Sequence, residues 1–189
     1  MSMFENSNRF IVRTVLALGL SVAFTTAALA AGSESDSTEP PEKTKTTTEC
    51  KNGQVWDKVK NKCVDAKKSS LDDDTLYTAA RELAYNGQYE NAITLLNLIK
   101  NQNDPKVLNY LGYSNRKAGR FEIGMKYYQQ ALAIDANFIL ARSYMGQALL
   151  QEGNVLAARA QLIEIRDRGG EGTWAYRSLE QSLGGTRTY

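Results

Sequence analysis

Leu111-Gly112, Gly119 and Phe121 return 34 residues later as Met145-Gly146, Gly153 and Val155. A fainter copy, Ala79-Ala80, Gly87 and Tyr89, lies 32 residues upstream of the first set. A period of this length belongs to supersecondary units that bury their apolar faces on one another. From Asp72 onward apolar residues fall three and four apart, and glycine interrupts them at regular intervals. That is the pattern of amphipathic helices stopped where the chain must turn left-handed. The spacing predicts helices over about 73–86, 89–101, 105–118, 121–134, 139–152 and 155–167, with a seventh over roughly 173–183. Pro105, directly after Asp104, fits the opening position of a helix.

The chain upstream of the repeats reads differently. Arg9 and Arg13 precede an uncharged apolar run from Thr14 to Phe24, and Ala28-Leu29-Ala30 offers small residues at the spacing of a cleavage site. Residues 1–30 are therefore expected to be a signal peptide, with the mature chain starting at Ala31. A retained anchor is the alternative, although the run falls short of the ~20 apolar residues a span needs. Export implies a periplasmic or secreted protein. Residues 31–49 (AGSESDSTEPPEKTKTTTE) have no apolar side chain beyond Ala31 and are expected to form a disordered linker. Residues 50–64 then form a small module closed by Cys50 and Cys63. An even cysteine pair in an exported chain reads as a disulfide, whereas a zinc site would want four ligands. A loop of this size is worth about 3 kcal/mol in the chain-entropy account. The module needs it, because Val55, Trp56, Val59 and Val64 are nearly all its apolar material. Residues 72–184 are the repeat domain, and 185–189 a tail.

The composition excludes several chemistries. The chain has no histidine, which removes the commonest general base, the Ser-His-Asp arrangement and imidazole metal sites. No serine sits in a Gly-x-Ser-x-Gly elbow, and the Gly169-Gly170-Glu171-Gly172 stretch lacks the lysine of a phosphate loop. Asp72-Asp73-Asp74 has the wrong spacing for calcium and suits the positive end of a helix. No catalytic residue, metal ligand or cofactor site is assigned, and the expectation is a protein that is not an enzyme. A net charge of +2 gives no electrostatic case for nucleic acid.

Residues 73–168 resemble tetratricopeptide repeats, at about 73–104, 105–138 and 139–172. The middle repeat matches best. Leu111-Gly112 sit at the paired large and small positions, Gly119 ends the first helix and Phe121 follows. Tyr128, Ala131-Leu132, Ile134 and Asp135 then keep the family's order. The resemblance implies an all-α fold, an antiparallel helix-pair solenoid of about three repeats. The last helix, with Trp174, Tyr176, Leu179 and Leu183, caps the open end. It also implies a concave groove lined by the first helix of each pair. Carried over position by position, that groove is Tyr77, Arg81 and Tyr85, then Asn109, Tyr113, Arg116 and Lys117, then Ser143 and Gln147. Tyrosine and arginine dominate interface energetics, and the arginines and lysine favour an acidic ligand. The resemblance thus implies a non-catalytic adaptor or scaffold that binds a protein or peptide partner of acidic character. A membrane would be met only through the leader, if that is retained.

A second reading rests on the cysteine module. The spacing Cys-x2-Gly-x2-Trp-Asp-x5-Cys is similar to the closing half of small chitin-binding domains of the peritrophin type. It implies a cell-wall or carbohydrate-binding protein with Trp56 as the stacking aromatic and the repeats as scaffold.

Overall fold

The computed structural model describes residues 38–185. The expected signal peptide, the start of the linker and the tail after Gly185 lie outside them.

Six helices run in antiparallel pairs: α2 (Asp73–Tyr85) with α3 (Tyr89–Leu96), α4 (Pro105–Lys117) with α5 (Phe121–Ile134), and α6 (Ile139–Gln151) with α7 (Val155–Asp167). Each pair stacks on the next, α3 on α4 and α5 on α6. The fold is an all-α helix-pair solenoid of three repeats. A final helix, α8 (Trp174–Gly185), lies against α6 and α7. Leu179 and Leu183 close a small core there with Ala158 and Ile165, so α8 caps the stack as expected.

Local sequence explains where the helices start and stop. The Asp72 carboxylate accepts the Thr75 amide at 2.7 Å, and that bond holds its pKa below the ordinary carboxylate value. Asp104 caps α4 through the Lys106 amide at 2.8 Å, with Pro105 in the first turn. Gly119 and its repeat equivalent Gly153 take φ of +86° and +75°, a conformation costly for any residue with a Cβ. Only α3 departs from its predicted span. It stops at Leu96, because the chain tightens into turns at Leu98 and Ile99 and the Gln102 side chain donates to the carbonyls of Leu96 and Ile99.

Close approach sets the pair spacing. A Cβ on Gly112 would stand 2.7 Å from the Tyr128 ring and 3.1 Å from the Gly124 carbonyl oxygen, so α4 and α5 meet almost backbone to backbone. The core between the pairs includes Leu83, Leu95, Leu96, Leu111, Tyr110, Tyr128 and Tyr144.

The segment before the repeats corrects an expectation. Part of the stretch 31–49 read as disordered is docked: Lys45–Thr48 forms a short helix, α1, against α2. The buried Glu82 carboxylate, on α2, accepts from the amide and hydroxyl of Thr44, both at 2.6 Å, and from the amide and hydroxyl of Thr47. A segment without apolar side chains is ordered here by polar anchoring. Strands β1 (Val55–Asp57) and β2 (Lys62–Val64) follow as an antiparallel hairpin pairing Trp56 with Cys63, and Cys50 is disulfide-bonded to Cys63. The module does not stand alone. Val55 and Ala66 are buried in the same core as the first repeat.

Candidate functional site

The first helices α2, α4 and α6 present the nine residues assigned to a groove, and the structure sorts them. Tyr77, Arg81, Asn109, Tyr113, Arg116 and Ser143 are buried, Tyr85 and Gln147 are half-buried, and Lys117 is exposed. The stripe is therefore a largely closed seam with an accessible rim, not an open row of side chains.

Tyrosines build the seam. Tyr85 stacks on Tyr113 with centroids 5.4 Å apart, Tyr113 meets Tyr144 at 4.9 Å, and Tyr77 packs edge-on against Tyr110 at 5.8 Å. The Tyr85 and Tyr144 hydroxyls lie 2.5 Å apart, joining the first repeat to the third across α4. Burial pushes the phenols up: Tyr113 and Tyr128 to about 12, and Tyr77, Tyr85 and Tyr144 well above their ordinary value. Tyr110 and Tyr144 were absent from the sequence-derived set. Their signal was present, since they stand 34 residues apart, one full repeat.

The cations are built into this wall. Arg81 Nε donates to the Tyr110 hydroxyl at 3.1 Å, and its Nη2 donates to the main-chain carbonyl of Glu39 at 3.0 Å. The irregular segment ahead of α1 thus lies against the same face. Arg116 donates to Gln151 Oε1 at 2.6 Å and to the Tyr128 hydroxyl at 3.4 Å. Lys117 sits 5.8 Å from the Tyr113 ring centre; partial desolvation and the neighbouring Arg116 lower its pKa.

Ser143 and Gln147 call for a correction. Ser143 Oγ donates to the Ala175 carbonyl at 2.7 Å, and Gln147 Nε2 donates to Ser178 Oγ at 3.1 Å. Both are occupied by the capping helix, so the third repeat's share of the groove is largely internal. Asn109 is the reverse case. It is fully buried on α4, and neither its amide nitrogen nor its oxygen has a hydrogen-bond partner among the described residues. One donor and one acceptor side by side match the polar groups of a peptide unit. Arg116 Nη2 is likewise buried without a partner.

Beyond the seam, a cleft of about 600 Å³ separates the hairpin from the start of α2, with Trp56, Leu71, Asp72 and Thr78 in its walls. Lys45 Nζ sits 4.3 Å from the centre of the Trp56 ring.

These features define an all-α helical-repeat fold of stacked antiparallel helix pairs. Its fold is similar to that of the type III secretion translocator chaperone SycD of Yersinia enterocolitica, with a TM-score of 0.51 at 18% identity over 61% of this chain and 86% of that one. A second SycD structure, an alternative dimer, gives a TM-score of 0.52 at 18% identity over 62% and 89%. A third, SycD in complex with a peptide of the translocator YopD, gives 0.50 at 18% over 59% and 86%. No protein-family model and no curated protein matches the sequence.

Proposed function

We propose that this protein is an exported, non-catalytic adaptor, periplasmic or secreted, that holds an extended protein segment of acidic character against the face formed by α2, α4 and α6. One observation carries the reading: Arg81 already grips the backbone carbonyl of Glu39 within the irregular, acidic stretch Glu39-Pro40-Pro41-Glu42. The face therefore has the chemistry to hold extended main chain, through a guanidinium for a carbonyl and tyrosines for the flanking surface. The unpaired Asn109 amide and Arg116 Nη2 supply further polar groups that a partner's backbone or carboxylate would satisfy. The likeness to a chaperone solved with a translocator peptide supports the same reading. Affinity capture from cell-envelope extract tests it. A specific partner should be retained by the natural protein and lost with Asn109→Leu and Lys117→Glu. Equal retention by both variants would exclude this face.

A carbohydrate-binding role for the Cys50–Cys63 module is the second reading. It is favoured by the cleft at Trp56, an indole beside hydroxyl and carboxylate groups. Trp56→Ala should abolish retention on peptidoglycan or chitin; unchanged retention removes this reading.

A further inference from the structure

The disulfide hairpin carries a charge that the rest of the described chain does not share. Residues 43–68 hold eight lysines against Glu49, Asp57 and Asp65, a net charge of +5 with no arginine. Residues 69–185 hold 12 basic and 13 acidic side chains. The hairpin turn runs Asp57-Lys58-Val59-Lys60-Asn61-Lys62, and Val59 within it is 93% exposed.

That exposure is built into the turn. The Asp57 carboxylate accepts the amides of Val59 and Lys60, both at 2.9 Å, and Asn61 takes the left-handed conformation at φ 48°. The disulfide at Cys63 ties the returning strand down. Lys60 bridges to Asp57 at 3.1 Å. Lys58 and Lys62 are exposed and make no ion pair among the described residues. A held turn thus lifts one branched apolar side chain into water between uncommitted ammonium groups. In a monomer's surface such an arrangement lowers stability without packing against anything.

We propose that this turn seats on an anionic lipid surface, with Val59 entering the headgroup layer and Lys58 and Lys62 beside the lipid phosphates. An apolar tip ringed by lysine is complementary to an interface that is both negatively charged and apolar a few ångströms below. A nucleic acid fits less well. The module has no arginine fork for phosphate, and its one aromatic, Trp56, cannot stack a run of successive bases. This contact goes beyond the adaptor reading and involves none of the groove residues.

The test uses residues 32–189, which contain every described helix and the hairpin, so that the apolar run at 14–24 cannot bind lipid itself. The protein is co-sedimented with vesicles of phosphatidylcholine containing phosphatidylglycerol, and with vesicles of phosphatidylcholine alone. Binding is expected only to the anionic vesicles, and it should weaken as salt is added. Lys58→Glu with Lys62→Glu should reduce partitioning about fivefold or more for each lysine reversed. Val59→Asp should reduce it several-fold as well. Circular dichroism and intact disulfide confirm that these exposed substitutions leave the fold in place. No binding to anionic vesicles, equal binding to both kinds, or binding unchanged in the lysine variant would overturn the proposal. So would a single-stranded polynucleotide bound more tightly than the vesicles and indifferent to Val59→Asp.

Discussion

Glu82, buried on the second helix, reaches back to Thr44 and accepts hydrogen bonds from both its amide and its hydroxyl at 2.6 Å. One carboxylate thereby fastens the N-terminal segment to the first repeat, and with Thr47 it also covers the open end of α1. Charge-assisted bonds of this kind are about twice as strong as neutral ones. Glu82→Ala removes the charged acceptor of these partly buried bonds to Thr44 and Thr47 and should cost about 2–3 kcal/mol by chemical denaturation. Hydrogen exchange should show protection lost first over residues 44–48. Uniform loss through all repeats would mean that Glu82 serves the core and not the clasp.

The glycines of the helix pairs differ in what surrounds them. Gly112→Ala drives a Cβ into the Tyr128 ring and the Gly124 carbonyl oxygen, neither of which can yield without moving α5. At Gly146 the nearest atoms are the Leu179 methyls, at 2.6 and 2.9 Å, the far end of a side chain that can change rotamer. Gly112→Ala should therefore cost about 2–3 kcal/mol and Gly146→Ala clearly less. Thermal melts of the two variants check the ordering.

Much of this packing was legible in the residues. Gly119 and Gly153 marked helix ends because few other residues take a left-handed turn cheaply, and Asp72 and Asp104 marked the starts. The docking of residues 44–49 was not legible. Composition reports apolar burial, and the clasp is a carboxylate 35 or more residues away that meets threonine amides and hydroxyls. The residues assigned to the groove lie on α2, α4 and α6, but the packing that closes much of that face was hidden. Tyr110 and Tyr144 fill the seam from positions just beside those the family pattern marks, and α8 lands on Ser143 and Gln147. Which side of a helix a neighbour covers is a tertiary property that periodicity does not carry.

The tyrosine seam makes the fold sensitive to alkali. Tyr113 and Tyr128 are pushed up to about 12 from 10.0, so the folded state keeps protons that the unfolded chain releases. Their contribution is intact below pH 10 and falls as the pH rises from there to 12, by up to ~1.4 kcal/mol per pH unit for each tyrosine. Tyr77, Tyr85 and Tyr144 shift in the same direction. Denaturation midpoints should drop through this window as phenolate absorbance rises. A midpoint that stays flat while phenolate forms would show that the seam is open to water.

Asn109 sets binding against stability. Its buried amide has neither donor nor acceptor satisfied, so Asn109→Leu should stabilise the free protein by about 1–2 kcal/mol while weakening partner capture. A loss of stability in that variant would mean the amide is satisfied in solution and is not held for a ligand.

The central claim is that the face of α2, α4 and α6 holds a partner segment, and site-specific photocrosslinking in intact cells tests it most directly. The crosslinker is placed at Lys117, on the exposed rim of that face, or at Leu156, 82% exposed on the second helix of its pair. The account predicts a discrete adduct from position 117 that Asn109→Leu removes, and none from position 156. An adduct from 156 with none from 117 would contradict it.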